Sequence, residues 1–242
     1  LLSSSAPTTG AAPGAPSGAL GRYLMDHITV SAGGEGPPLP TEEPANPGRC
    51  VFLSRTDEDE IAGRSRYGMQ VYRWSIGARS SRFTGVSFAE MAPRPENHVT
   101  LDTNRRDICG NPTLRITCAH SSEDIAVATM QSAALRETAE ALDVVLDRID
   151  TAPAPAGTAM HECGTARMGD DPASSVLDPN NQCWDAKGLF VTDGAALPSQ
   201  GTQHPTLTIM ALTARACKFA ARNLQWAAAA LLEIDLANFF LA

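Results

Sequence analysis

Residues 69–76 read MQVYRWSI, and residues 82–91 read RFTGVSFAEM. Both stretches are rich in aromatic and β-branched residues and partly alternate apolar with polar. That period of two marks strands with one face buried. HVTLD at 98–102 and TLRITCA at 113–119 have the same texture, with Gly110 and Asn111–Pro112 punctuating between them. The middle of the chain therefore reads as sheet.

Downstream, Ser121–Ser122 stands as a helix cap, with Glu123 and Asp124 in the first turn where the helix dipole favours acids. Leu135, Ala139, Leu142, Leu146 and Ile149 step by four and three. They share one helical face, so a single long helix is expected to run up to the loop at Pro153 and Pro155. Upstream, residues 31–48 (SAGGEGPPLPTEEPANPG) read as a loop, and residues 1–19 as a helix end followed by a loop. GRYLMDH at 21–27 is denser. From residue 157 to 224 the texture changes. A short strand is expected from Gly188 to Asp193 among glycine turns, and a helix after Pro205. Leu207, Met210, Ala211, Ala214, Cys217 and Lys218 fall near one side of that helix. The tail QWAAAALLEIDLANFFLA reads either as a docking helix or as a poorly ordered end. There is no internal repeat.

The bulk numbers exclude several functions. The chain has 242 residues and a net charge of −8, which argues against a nucleic-acid partner or an anionic membrane surface. No charge-free apolar run approaches the ~18 residues of a membrane span. None of the six cysteines forms a CxxC pair, which removes zinc-ribbon and thioredoxin readings.

Two of the five histidines stand in glycine-punctuated loops beside ordered elements: His161 and His204. His27, His98 and His120 read as structural or surface residues. His161 opens MHECGTARMGDDP, but Thr165 stands where an HExxH zinc motif needs its second histidine. A metal set of His161, Cys163 and Cys183 matches no ligand spacing, and Cys163 as a nucleophile lacks an evident supporting acid. His204 precedes Pro205, and proline suits the first position of a helix. Thr206 and Leu207 then offer unpaired N–H groups, which form an anion site. A surface histidine at a plain helix start is an equal alternative from these residues alone. In VTDGAALP (191–198), Asp193 and Gly194 end a strand in a tight turn, a place that suits a ribose, ribityl or phosphate group.

Together, HECGTARMG (161–169), SVLD (175–178), GLFVTDG (188–194) and HPTLT (204–208) resemble the C-terminal signature of the glucose–methanol–choline (GMC) oxidoreductases. GRYLMDH, NHVTLD (97–102) and GNPTLRI (110–116) resemble that family's other segments. The resemblance runs to about Leu224 and is strongest from His161 to Ala216. It implies a mixed α+β and α/β architecture. Residues 1–27 would end a first FAD-domain section. Residues 28–156 would be a substrate domain, an antiparallel sheet with packed helices. Residues 157–224 would return to a Rossmann-like FAD domain, and residues 225–242 match nothing. It also implies an FAD enzyme acting on CH–OH groups of small-molecule alcohols, polyols or sugars, with no metal. His161 and His204 would be the catalytic pair, with His161 as base. Asp193, Gly194, Ala195, Pro205 and Thr206 would hold FAD. The family's GxGxxG loop is missing from these residues, so the chain is expected to be a C-terminal portion, inactive in isolation. The alternatives are a truncated relic that binds no flavin and a Cys/His metal module. Neither the electron acceptor nor the compartment is written in these residues.

Overall fold

The computed structural model describes residues 1–4, 11–39, 49–54 and 67–239; beyond Asn223 it describes only the helical backbone. Among the described residues, seven strands and two α-helices follow in order. They are β1 (Ile28–Gly36), β2 (Arg49–Ser54), β3 (Tyr67–Ile76), β4 (Ser80–Ala89), β5 (His98–Arg106), β6 (Pro112–Thr117), α1 (Ser122–Ala141), β7 (Val145–Ile149) and α2 (Thr206–Phe239). Five strands form one antiparallel sheet in the order β2-β3-β4-β1-β7, and β5 pairs with β6 alone. The four stretches read as strands are β3, β4, β5 and β6.

Alternation gives the sheet two different faces. Ser81, Phe83, Gly85, Ser87 and Ala89 of β4 are buried, and the residues between them are half-buried. The buried face packs on α1 through Ile28, Val30, Val71, Phe83, Leu135 and Ala139. Gln131 of α1 is fully buried, and its amide donates to Ile28 O (3.1 Å) and to Ser87 Oγ (3.0 Å). Each donor thus finds a partner where an orphan would cost ~1–3 kcal/mol. The opposite face carries Phe88, Gln70 and Tyr72, because register pairs Gly68 with Phe88, Gln70 with Val86 and Tyr72 with Thr84.

The helix α1 starts as read. Ser121 accepts from Asp124 N–H, and Asp124 accepts from Ser121 N–H, a reciprocal capping box. It ends earlier than expected. Leu142 caps it and Asp143 takes a left-handed φ of 53°. The β-branched Val144 and Val145 then lead into β7, so Leu146 and Ile149 reach the same core from a strand. The expected loop at 31–48 is also partly wrong, since residues 31–36 belong to β1, an interior strand of the sheet. Its glycines allow close approach: a Cβ on Gly34 would lie 2.5 Å from Val145 O, at a bulge between Gly33 and Gly34. Residues 40–48 of that loop lie outside the described residues.

At the start of the chain, residues 1–4 form a turn rather than a helix end, and a 3-10 turn spans Ala15–Ser17. Residues 188–193 make one isolated bridge, Gln182 to Phe190, rather than a strand. The segment 157–205 is held by such bridges and by a second small core of Ala19, Ala166, Val176, Leu177, Cys183 and Ala196. The α2 side expected from sequence faces outward, with Leu207 and Met210 exposed. Ile209, Leu212 and Ala216 face the protein instead. The helix extends through the tail to Phe239.

Candidate functional site

The site is assembled by one short antiparallel joint. Met25 and Cys163 exchange both backbone hydrogen bonds, each 2.9 Å. That register sets His27 opposite His161, two residues away on either arm. Gly164 makes the joint possible. It has φ 89°, and a Cβ there would sit 2.0 Å from Tyr23 O. Asp26 then fixes the incoming loop, accepting from the N–H groups of Gly157 (2.8 Å), Ala159 (3.1 Å) and His161 (3.3 Å).

Because side chains alternate along each arm, His27 and His161 point to one face and Asp26 and Glu162 to the other. On the histidine side, His161 Nδ1 lies 3.0 Å from His27 Nδ1, and His161 Nε2 lies 2.8 Å from His204 Nδ1. His204 Nε2 lies 2.6 Å from the amide nitrogen of Gln70, whose oxygen accepts from Tyr72 OH at 2.6 Å. At the other end His27 Nε2 lies 3.1 Å from Gly201 O. Phe88 meets all three rings edge-on, with centroids 5.6, 5.8 and 5.2 Å away. The loop behind is anchored by Glu90, which accepts from Gln200 and Gly201 N–H, and by the Gln200 amide donating to His161 O.

These surroundings keep two of the rings neutral. Burial first, and then the neighbouring His161, lower the pKa of His27 to about 4. Burial and then His204 lower that of His161, against a smaller opposing pull from Asp26. Burial, with Asp26 and Glu162 adding to it, pushes the Cys163 thiol up to about 12, which disfavours the thiolate a nucleophile needs. Nor do His161, Cys163 and Cys183 converge: Cys163 belongs to the sheet core and Cys183 to the second core. Among the described residues no group of three or more His, Cys, Asp or Glu side chains is arranged to hold a metal ion.

The expected cofactor residues fall in two places. Pro205 is buried beside His204, and Thr206 opens α2, exposed. Among the described residues no group accepts from the N–H of Thr206 or Leu207, so the positive end of the helix is free for an anion. Asp193 and Ala195 instead line a cavity of about 970 Å³ with Asp26, Glu162, Thr165 and Phe190; neither His161 nor His204 lines it. Gly194 is buried. Asp193 Oδ1 accepts from Ala195 N–H (2.9 Å), so this turn satisfies that N–H within itself. With three carboxylates on its wall, the cavity suits hydroxyl groups rather than a pyrophosphate.

The reading from sequence missed His27 and Gln70. The signal for Gln70 was its place in a strand that alternates around it. For His27 it was the Asp–His pair ahead of a strand, invisible without its partner 134 residues away.

Comparison with known proteins places the chain in a family. Residues 93–213, half of the chain, match the family model described as GMC oxidoreductase. A 2-methyl-1,2-propanediol dehydrogenase of Mycolicibacterium austroafricanum is 38% identical over 136 residues, covering 56% of this chain and 24% of that protein. A C-glycoside 3-oxidase of Arthrobacter globiformis is 27% identical over 224 residues, covering 85% and 42%. The chain thus spans less than half the length of these relatives. Among solved structures, pyridoxine 4-oxidase from Mesorbium loti superposes with a TM-score of 0.53 at 18% identity, over 84% of this chain and 43% of the other. An Aspergillus oryzae formate oxidase gives 0.54 at 14%, over 84% and 47%. The match over 93–213 spans β5, β6, α1, β7, the His161 loop and the first turns of α2, and on it the chain belongs to the GMC oxidoreductase family.

Proposed function

We propose that this chain is the substrate-activating part of an FAD-dependent enzyme that oxidises a CH–OH group of an alcohol, polyol or sugar. GMC proteins use FAD, and the relatives named above are dehydrogenases and oxidases. The observation that carries the reading is the 2.8 Å contact between His161 and His204, set at the start of α2. Residues here fit the cofactor in two ways. The free N–H groups of Thr206 and Leu207 would hold the anionic edge that a flavin gains on reduction, and Asp193 would bind hydroxyls of its ribityl chain. When bound, FAD supplies the acceptor for the hydride that leaves the carbinol carbon.

The chain's own residues manage the proton. A hydroxyl entering between the two rings replaces their direct contact. It donates to the bare nitrogen of His161 and accepts from the N–H of His204. A base must be unprotonated at working pH, and the lowered pKa of His161 meets that need. The neighbouring imidazole of His204 adds to the lowering at His161, since a positive charge there would disfavour a second one beside it. Phe88 walls the rings on the sheet side and keeps water from that edge.

The test uses the full-length protein, anaerobic stopped-flow and a panel of alcohols, polyols and sugars. His161→Ala is expected to slow flavin reduction by ~10²-fold or more with FAD occupancy retained. Reduction within a few-fold of wild type overturns the assignment. A wild-type protein that binds no flavin overturns the whole reading in favour of a relic.

A further inference from the structure

Five groups lie in one unbroken line: Gly201 O, His27, His161, His204 and Gln70, with Tyr72 closing the far end. Each imidazole uses both of its nitrogens in this line. A neutral imidazole has one N–H and one bare nitrogen, so the direction of any one bond sets the direction of the rest. Gly201 O, a carbonyl that only accepts, has a fixed role at one end. His27 Nε2 must therefore carry the proton and donate to it. His27 Nδ1 is then bare and accepts from His161 Nδ1–H. His161 Nε2 is bare in turn and accepts from His204 Nδ1–H. His204 Nε2 is left to accept from the Gln70 amide.

The other end is compatible with this direction; Tyr72 OH can donate or accept, so Gly201 O alone sets it. Tyr72 OH donates to Gln70 Oε1, which turns the amide NH₂ toward His204. If Gln70 were flipped, every bond would reverse and a bare His27 Nε2 would face Gly201 O lone pair to lone pair. The loop that carries this carbonyl is held by Glu90, so it does not rotate away at no cost.

We infer that His27 is a positioning residue that locks His161 in the Nδ1–H tautomer, leaving Nε2 bare toward the substrate side, with Gln70 setting His204 in the same way. This rests on the base role proposed for His161, and it deepens that role. The lock also survives the reaction. Once His161 has taken a proton on Nε2 it still donates from Nδ1 to the same bare nitrogen, so no bond need re-form. Reversed, the line would present N–H to the hydroxyl, and His161 would not accept its proton. His27 touches neither substrate nor reacting atoms; its nearest ring contacts are His161 and Phe88.

The experiment is ¹⁵N-histidine NMR on the full-length holoprotein, with His27→Leu and His27→Asn beside wild type. In wild type, His161 and His204 should show the Nδ1–H pattern and His27 the Nε2–H pattern. His27→Leu removes the acceptor at similar bulk, and His161 should leave the pure Nδ1–H state. His27→Asn puts an amide oxygen where Nδ1 was, and the pattern should return. In stopped-flow, His27→Leu should slow flavin reduction on the order of 10- to 100-fold, with substrate Kd within about threefold, and Asn should recover most of the rate. An Nε2–H signature for His161 in wild type overturns the proposal, and that spectrum needs no variant to fold. So does unchanged reduction in His27→Leu. If His161 is not the base at all, the tautomer pattern still appears while His161→Ala reduces normally, which separates the two failures.

Discussion

The helix-backed sheet and the segment 157–205 are built on opposite plans. The sheet repeats: alternate residues of β4 are buried, and α1 covers that face with Leu135 and Ala139. The segment 157–205 has no regular strand. Its order comes from single bridges, positive-φ residues such as Thr165 and Asn181, and carboxylates that collect backbone N–H groups. In a repeating element many weak contacts share the load, so the geometry tolerates small errors. In the irregular segment each backbone bond is specific, which suits the holding of a few side chains at fixed distances. The sheet contributes to the site only through its second face, by Phe88, Gln70 and Tyr72.

That contrast can be broken from the sheet side first. Leu135 is fully buried between α1 and the sheet. Leu135→Ala should cost ~2–5 kcal/mol of unfolding free energy, while the folded fraction reduces flavin at close to the wild-type rate. Denaturant melts and stopped-flow on the same sample check both halves. A large loss of rate without a loss of stability would erase the division drawn here.

The next effect sits at the junction. His27 titrates near 6.5 in the unfolded chain and about 4 in the fold. Between those values the unfolded state binds the extra proton, so stability is full above pH 6.5 and falls as pH drops toward 4. A tenfold change in proton affinity is ~1.4 kcal/mol, so the loss approaches ~3 kcal/mol by the lower end. Denaturant midpoints across that range should show the slope, and His27→Asn should flatten it. An equal slope in the variant would assign the acid sensitivity elsewhere.

The smallest effect is the α1 cap. Ser121→Ala removes one half of the capping box and should cost ~1 kcal/mol with chemistry unchanged. A change in flavin reduction would mean that the helix start communicates with the histidines.

Legibility followed the same division. β3, β4, β5, β6 and the start of α1 were readable because period and capping are local properties of sequence. β1 was hidden because its glycines imitate a loop; only the neighbour at Val145 explains them. β7 was hidden because Leu146 and Ile149 continue a helical step by coincidence, while the stop at Asp143 depends on a backbone angle. Within the site, His161 and His204 stood out through the family resemblance. His27 did not, since its meaning lies in a partner that only the fold supplies. The outward side of α2 shows the limit of periodicity: it marks that an apolar face exists, and Leu207 and Met210 show that the face need not be covered by this part of the chain.

The Met25–Cys163 joint has one more consequence, for how this part of the molecule tolerates changes of length. Side chains along it alternate, so adding or removing a single residue between Met25 and His27, or between His161 and Cys163, would turn one histidine to the carboxylate side. A two-residue change would restore the side but move the ring about 7 Å along the strand. Length is therefore fixed by parity and by reach in these two short arms. The exposed turn at 170–174, which precedes the buried Ser175–Asp178 stretch and lies outside both arms, is where insertions can accumulate without disturbing the pair.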